Sequence, residues 1–155
     1  MFKDGKFHYQ WDRYQEDICA LADDLTYEPS VIIGIARGGC VPAVHLSHLL
    51  GKPFKAVTWQ TRDGGVKEKY KVPEYALIVD DINDSGKTLT GFTANIQHEK
   101  YATLTLFNKK SSEFTVDFYA READDDKWIN FLGNDYGRSE KRMGHLSGAV
   151  QCRYV

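Results

Sequence analysis

Apolar residues near the start of the chain recur at the spacing of a helix. At intervals of three or four residues come Trp11, Tyr14, Ile18, Leu21 and Leu25. This periodicity is typical of one face of an amphipathic helix whose remaining positions are polar and face water. Pro29 follows and cannot continue a helix, so the helix is predicted to end before it.

The rest of the chain alternates short apolar runs with helical stretches. The run over 31–35 has the sequence VIIGI, which is typical of a strand covered on both faces. On such patterns, strands are predicted over 31–35, 54–59, 75–80, 102–107 and 116–120, and helices over 41–50 and 88–98. Strands that alternate with helices indicate an α/β fold with a parallel sheet between two layers of helices.

Length and composition limit the class of protein. A chain of 155 residues corresponds to one domain, and 42% hydrophobic with 27% charged residues are ordinary globular values. No run approaches the roughly 20 apolar residues that span a bilayer, and the N-terminal sequence MFKDGKFHYQWDRYQ lacks the apolar core of a signal peptide. We therefore expect a cytoplasmic protein without a transmembrane segment.

The balance of charges bears on the kind of partner. The net charge is −2, from 20 basic and 22 acidic residues. Proteins that bind nucleic acid usually carry a basic excess, because contacts to phosphates dominate their affinity. The sequence therefore predicts small-molecule partners and no nucleic acid.

The first candidate site follows the strand over 31–35. In open parallel sheets, ligands bind at the carboxyl ends of the strands. There the chain carries Arg37, Gly38 and Gly39, where glycines let backbone N–H groups approach an anion and arginine adds positive charge. An arginine followed by two glycines is also an ordinary turn, so this segment alone favours neither interpretation.

The second candidate site follows the strand over 75–80 and has the sequence DDINDSGKT, residues 80–88. Three carboxylates, Asp80, Asp81 and Asp84, would repel one another unless a cation or hydrogen-bond donors compensate. The Ser-Gly-Lys-Thr that follows stands at a predicted helix start, where free N–H groups favour a phosphate. The run suits a ligand with both a ribose and a phosphate. In the alternative interpretation an aspartate only caps the helix and the other polar residues face water. The occurrence of the complete run directly after an apolar strand disfavours this alternative.

Two better-known nucleotide motifs are excluded. A Walker A loop ends in Gly-Lys-Thr but needs a glycine five positions earlier, where this chain has Asp81. No G-x-G-x-x-G occurs, so a dinucleotide-binding Rossmann site has no support.

Four segments resemble one known family, and together they span roughly residues 8–137. VDDINDSGKT resembles the phosphoribosyl-pyrophosphate motif of the type I phosphoribosyltransferases. IIGIARGGCVPAVHLSHLLG resembles the pyrophosphate loop and following helix of the purine-salvage members, above all the xanthine–guanine enzymes. TLFNKK and KWINFLGNDYG resemble the lysine segment and the aromatic hood of those members. The resemblance implies a single domain over 1–155, with a mostly parallel central sheet flanked by helices and a small C-terminal hood at about 121–140.

The resemblance also implies roles for the residues that would bind phosphoribosyl pyrophosphate. Asp80 and Asp81 would bind the ribose hydroxyls, directly or through Mg²⁺. The 5′-phosphate would be held by Ser85, Gly86, Lys87 and Thr88. The pyrophosphate would be contacted by Ala36, Arg37 and Gly38.

The same resemblance assigns the residues around the base. Asp84 would lie at purine N7 and manage its proton, and Lys109 would donate to the 6-oxygen, a role that its neighbour Lys110 could also take. Trp128 would stack on the base, unless it is only a core residue, and Ile129 would offer backbone groups to the base edge. Asp135 would reach a second Mg²⁺.

The long polar connection over 60–73 is predicted to close over the site. The family usually carries a Ser-Tyr pair in its mobile loop, and here Thr58 and Trp59 stand near that place. Which residue closes over the pyrophosphate is left open among Arg62, Lys67 and Lys69.

The activity implied is transfer of a phosphoribosyl group to a 6-oxopurine base (guanine, xanthine or hypoxanthine) with release of pyrophosphate. Such an enzyme uses Mg²⁺ and commonly forms homodimers or homotetramers. Two alternatives stay open: a regulatory or RNA-binding protein on this fold that senses nucleotides, and an enzyme that acts on a different base.

Overall fold

The computed structural model describes residues 2–3, 6–59, 70–126 and 128–131, with side chains from residue 6 onward. The elements in chain order are β1 (Phe2–Lys3), β2 (Lys6–His8), α1 (Trp11–Asp24), β3 (Val31–Ala36), α2 (Cys40–Leu50), β4 (Phe54–Thr58), β5 (Ala76–Asn83), α3 (Lys87–Thr93), β6 (Tyr101–Lys109), β7 (Phe118–Ala123) and β8 (Trp128–Asn130).

The centre of the fold is a five-stranded sheet in the order β4-β3-β5-β6-β7. Every neighbouring pair in this sheet is parallel, which confirms the predicted α/β class. None of the helices in the described part of the chain is long and apolar enough to cross a membrane.

Helices cover both faces of this sheet, because each central strand is apolar on both sides. Successive residues of β5 point to opposite faces, so Leu77 and Val79 join one buried cluster with α1 and α2, whereas Ile78 joins a second cluster with α3. Each fully buried Leu or Ile side chain contributes about 1.5–3 kcal/mol. This packing explains why the strands have unbroken apolar runs.

Helix α1 differs in two respects from the predicted apolar face. Trp11 is 57% exposed, while Asp17 is buried on the face that packs against the sheet. Asp17 accepts hydrogen bonds from Arg121 Nη2 at 2.8 Å and from Tyr9 Oη at 2.6 Å. A buried carboxylate is tolerated here because a guanidinium and a phenol both satisfy it.

Several element boundaries differ from the prediction, among them the end of β5, which lies at the site, and the end of α3. β5 does not end at Asp80 but continues to Asn83, because its pairing with β6 extends to Asn83 and Asn108. α3 ends at Thr93 rather than at residue 98, since Asn95 Nδ2 donates to the carbonyl of Gly91 and terminates the helix.

A second, smaller sheet has the order β1-β2-β8. β8 runs parallel to β2, with Phe7 opposite Ile129, and β2 runs antiparallel to β1. The N-terminal strands were not predicted. Of the predicted hood over 121–140, residues 121–123 form the end of β7, 128–130 form β8, and 132–140 lie outside the described residues.

Candidate active site

A cavity of about 440 Å³ opens at the carboxyl edge of the large sheet. It is lined by the ends of β3 and β5, by Trp59 and by the whole run 80–89. The two sequence segments that precede α2 and α3 therefore meet at one place, because β3 and β5 are parallel neighbours.

The turn after β3 consists of Arg37, Gly38 and Gly39. The peptide bond between Ala36 and Arg37 is cis. The N–H of Gly39 donates to the carbonyl of Ile35 at 2.9 Å, and the N–H of Cys40 donates to that of Arg37 at 3.1 Å. This tight turn places Gly38 directly against the carboxylate of Asp81. An anion bound at this turn would therefore lie beside the acidic pair.

The acidic pair lies at the end of β5 and is largely buried. Asp80 is 8% exposed, and its Oδ1 accepts a hydrogen bond of 2.9 Å from the N–H of Asp81. Asp81 Oδ1 in turn accepts one of 2.8 Å from the N–H of Ile82. Burial and the negative charge of Asp81 raise the pKa of Asp80 to about 8, and burial also raises the pKa of Asp81. Two adjacent buried carboxyls call for a compensating positive charge.

The donor set fits Mg²⁺ on chemical grounds. Carboxylate oxygens are the ligands this hard cation prefers, and it is usually held by one or two carboxylates together with substrate phosphates and water. Within the described ranges no group of three acidic, histidine or cysteine side chains could form a complete protein cage. Asp80 and Asp81 therefore suit a magnesium ion that shares its ligands with a bound substrate.

The turn after β5 begins at Asp84 and continues through Ser85 and Gly86 into α3. Ser85 is exposed, and Gly86 has a φ of 84°, which only glycine adopts without strain. The first intrahelical bond runs from the N–H of Thr90 to the carbonyl of Gly86. The N–H groups of the first turn of α3 therefore have no acceptor within the helix, and they lie at the helix end that borders the cavity. This arrangement suits the binding of a phosphate.

Asp84 and Lys109 form an ion pair across two neighbouring strand ends. Lys109 Nζ lies 2.7 Å from Asp84 Oδ1, with the lysine side chain 14% exposed and the aspartate 64% exposed. Lys110 instead lies 3.7 Å from Glu122, and both of those side chains are largely exposed. Of the two adjacent lysines, only Lys109 faces the site.

Trp128 and Ile129 are consecutive residues of β8, and one side chain is exposed while the other is buried. Trp128 is 69% exposed, so the interpretation of this residue as core is wrong. The side chain of Ile129 is 8% exposed and packs in the main core, where Phe107 also lies, which leaves only its backbone for a ligand. Both residues lie in β8, which pairs with β2 in the small sheet rather than with a strand of the large sheet.

Four predicted site residues lie outside the described residues: Arg62, Lys67, Lys69 and Asp135. The described ends of the segment that carries the first three are close together, because Tyr70 Oη donates to the carbonyl of Thr58 at 2.5 Å. Trp59 packs edge-on against Phe92, with ring centroids 5.6 Å apart.

Sequence reasoning assigned no role to Asn83, although it lies within the acidic motif. Its side chain is 1% exposed and makes several hydrogen bonds. The signal was an amide among the carboxylates that follow the apolar run 76–79, where a side chain that becomes buried needs internal partners.

Comparisons with known proteins agree with this geometry. Residues 11–136 match the phosphoribosyl transferase domain. The xanthine-guanine phosphoribosyltransferase of Cereibacter sphaeroides (strain ATCC 17025 / ATH 2.4.3) is 33% identical, covering 81% of this chain and 84% of the relative. The solved purine phosphoribosyltransferase from Pyrococcus horikoshii Ot3 is 32% identical, with a TM-score of 0.74, covering 88% of this chain and 99% of that one.

A more distant structure shares the fold. The xanthine-guanine-hypoxanthine phosphoribosyltransferase of Helicobacter pylori has a TM-score of 0.71 at 21% identity, covering 81% of this chain and 90% of that one. The family match covers most of the chain and includes both strand-end segments that line the cavity. The chain therefore belongs to the phosphoribosyltransferase family and is an enzyme of that family.

Proposed function

We propose that this enzyme transfers the 5-phosphoribosyl group of phosphoribosyl pyrophosphate to a 6-oxopurine: guanine, xanthine or hypoxanthine. The observation that carries the proposal is the ion pair of 2.7 Å between Lys109 and Asp84 beside the acidic pair. It sets a donor and an acceptor side by side, next to the place where the sugar would be bound.

The chemistry of this pair selects the kind of base. An ammonium group can only donate hydrogen bonds, and a carboxylate can only accept them. A 6-oxopurine presents a carbonyl oxygen at C6 and, on the same edge, the imidazole nitrogen N7, which can carry a proton. A 6-amino group would instead point its own N–H bonds at Lys109, which disfavours adenine.

The sugar phosphate would extend from the base across the cavity. Its 5′-phosphate would be bound by Ser85, Gly86, Lys87 and Thr88, through N–H groups and side chains of the turn and the first turn of α3. Its ribose hydroxyls would be bound by Asp80 and Asp81. Its pyrophosphate would be bound at Arg37 and at the backbone of Ala36 and Gly38. The lining of the cavity by Ala36 and residues 80–88, and the contact of Gly38 with Asp81, support this arrangement.

In the reaction, the bond between the ribose anomeric carbon and pyrophosphate breaks, and a bond to a purine ring nitrogen forms. Arg37 and the N–H groups of its turn would stabilise the charge that develops on the leaving pyrophosphate. Asp84 would accept the proton that the base loses, and Lys109 would fix the base by its oxygen. When Mg²⁺ is bound by Asp80 and Asp81, it supplies further neutralisation of the leaving group.

The named relatives support a purine acceptor. The Cereibacter protein is called a xanthine-guanine enzyme, and the Pyrococcus protein is called a purine enzyme. Both are at least 32% identical to this chain, and each spans most of its length.

The direct test is an assay of pyrophosphate release. The purified protein is incubated with Mg²⁺, phosphoribosyl pyrophosphate and one base at a time: guanine, xanthine, hypoxanthine, adenine or uracil. Release with at least one 6-oxopurine, and only background release with adenine and uracil, is the expected result. Preferential release with adenine or a pyrimidine would overturn the proposal.

A further inference from the structure

Asn83 is a completely buried polar residue at the end of β5. Its Nδ2 donates to Asn108 Oδ1 and to the carbonyl of Phe114, both at 2.7 Å. Its Oδ1 accepts from Ser112 Oγ at 2.9 Å. Three of the four hydrogen bonds that an amide can make are therefore formed inside the protein. Such a network is costly to disrupt, because any group left unpaired stays buried.

Two of these partners belong to the segment 112–114, which packs on the phosphate-binding turn. The N–H of Glu113 approaches the carbonyl of Ser85 at 3.4 Å. A Cβ added to Gly86 would lie 2.7 Å from Phe114 N and 3.0 Å from Ser112 Oγ, so no space separates the two segments. The segment 112–114 therefore supports the turn from behind, and Asn83 holds this segment.

The third partner belongs to the strand that carries the base-reading lysine. Asn108 lies opposite Asn83 in the pairing of β5 with β6 and directly precedes Lys109. The N–H of Ser112 donates to the carbonyl of Lys109 at 3.1 Å, which closes the turn between Lys109 and the segment 112–114. One amide thus connects the support of the phosphate turn to the strand end that reads the base.

We propose that Asn83 is a positioning residue that holds the segment 112–114 against Ser85 and Gly86 and thereby sets the affinity for the 5′-phosphate of the substrate. The proposal rests on the proposed function, because it takes this turn as the phosphate site. Asn83 acts through the turn and the segment, without touching the substrate through its side chain.

The proposal predicts different effects on the binding of the two ends of phosphoribosyl pyrophosphate, its 5′-phosphate and its pyrophosphate. Ribose 5-phosphate places its phosphate at the turn of Ser85 and Gly86, whereas pyrophosphate binds at Arg37 and Gly38. Asn83→Asp keeps the shape of the side chain but replaces the donor Nδ2 by oxygen, which then faces the carbonyl of Phe114. The segment 112–114 should move away from the turn, while the turn at Arg37 keeps its contacts.

The experiment is titration calorimetry of the full chain with ribose 5-phosphate and, separately, with pyrophosphate, both in the presence of Mg²⁺. Asn83→Asp should weaken ribose 5-phosphate binding about tenfold and pyrophosphate binding less than about twofold. Ser112→Ala removes the hydroxyl that donates to Asn83 and also pairs with the backbone of Phe114. Because Ser112 is partly exposed, the protein should fold, and its binding of ribose 5-phosphate should weaken about threefold. This milder variant tests the proposal even if Asn83→Asp does not fold.

Thr103→Val is the matched control. Thr103 is also 1% exposed and exchanges two hydrogen bonds with Asp117, but it lies near the opposite end of β6. Loss of the Thr103 hydroxyl should lower the melting temperature and leave the affinities for ribose 5-phosphate and pyrophosphate unchanged. The proposal would be overturned if Asn83→Asp weakened the binding of ribose 5-phosphate and of pyrophosphate equally. It would also be overturned if Ser112→Ala left ribose 5-phosphate binding unchanged. A wild type that binds neither ligand would overturn the proposed function itself.

Discussion

Gly38 and Asp81 are in direct contact across the cavity edge. A Cβ placed on Gly38 would lie no more than 2.7 Å from either carboxylate oxygen of Asp81. The turn after β3 and the acidic end of β5 therefore form one surface, with no room for a side chain between them. A ligand that carries both an anion and a sugar would contact both at once.

Gly38→Ala is expected to disrupt phosphoribosyl pyrophosphate binding without unfolding the protein. The new methyl group must displace Asp81 or the turn, and we expect kcat/KM to fall by about 100-fold, or about 2.7 kcal/mol. The measurement is steady-state kinetics together with a melting curve. Gly51→Ala is the control, because Gly51 has a φ of 62° with open space around its Cα. It should lower the melting temperature and leave kcat/KM unchanged. Normal kinetics in Gly38→Ala would contradict the placement of the turn.

The two adjacent lysines should differ sharply in their effect on the base. Lys109→Gln removes the charge that faces Asp84, and we expect the KM for the purine to rise about 10- to 100-fold. Lys110→Gln removes only an exposed pairing with Glu122, which is worth little. It should leave the KM for the purine unchanged. An equal effect of both substitutions would show that Lys109 does not bind the base.

Asp84→Asn tests proton transfer separately from binding. The amide keeps the size of the side chain and can still accept one hydrogen bond, but it cannot take up the proton from the base. We expect kcat to fall by roughly 10²–10⁴-fold, with a change of less than about threefold in the dissociation constant of phosphoribosyl pyrophosphate. Rapid-quench kinetics and titration of the sugar phosphate measure the two quantities. Parallel losses in both would refute the role of Asp84 as a base.

The sequence alone was sufficient to predict the strands of the large sheet and the segments that line the candidate site, because both depend on local signals. The apolar run before Asp80 indicates a buried strand, and the acid-rich turn follows it directly. The run could not show that β5 extends to Asn83, since that end is fixed by pairing with β6. The pairing of Phe7 with Ile129 could not be predicted either. Strands this short have little β preference of their own and form only by pairing with segments far along the chain.

Asp17 illustrates the same limit for a single side chain. A charge on a helix is normally assigned to the solvent face, and nothing near Asp17 in sequence contradicts that assignment. Its partner Arg121 lies 104 positions away on β7. Only the tertiary structure turns this aspartate toward the sheet.

The Asp17–Arg121 pair should matter for stability rather than for catalysis. Arg121→Gln leaves a buried carboxylate with only Tyr9 as a described donor, so we expect a loss of about 2–4 kcal/mol in the free energy of unfolding. Arg13→Gln breaks an exposed pair with Glu16 and should cost less than about 0.5 kcal/mol. Urea denaturation measures both. At a temperature where the variants are folded, their kcat values should equal that of the wild type. A cost for Arg121→Gln no larger than that for Arg13→Gln would contradict this account.

Tyr14 should make the protein less stable at alkaline pH. Burial raises the pKa of this phenol well above its usual value near 10, whereas the unfolded chain titrates normally. Above pH 10 the unfolded state therefore loses a proton that the folded state keeps, so stability falls as the pH rises. Its hydroxyl lies 3.3 Å from His45 Nδ1, and the pKa of that imidazole is lowered by burial, so no positive charge opposes the effect in this range.

Tyr14→Phe removes this dependence while keeping the ring and its packing. We expect the variant to be slightly less stable than the wild type at pH 8, and we expect this difference to narrow and then reverse between pH 10 and 11. Urea midpoints measured at intervals from pH 7 to 11 provide the test, with the interval from pH 7 to 9 as the internal control in which the difference should stay constant. Tyr9 is also buried with a raised pKa, but it is present in both proteins and cancels in the comparison. A difference that stays constant up to pH 11 would show that the folded state releases the Tyr14 proton as easily as the unfolded state, and that this phenol is not sealed from water between α1 and α2.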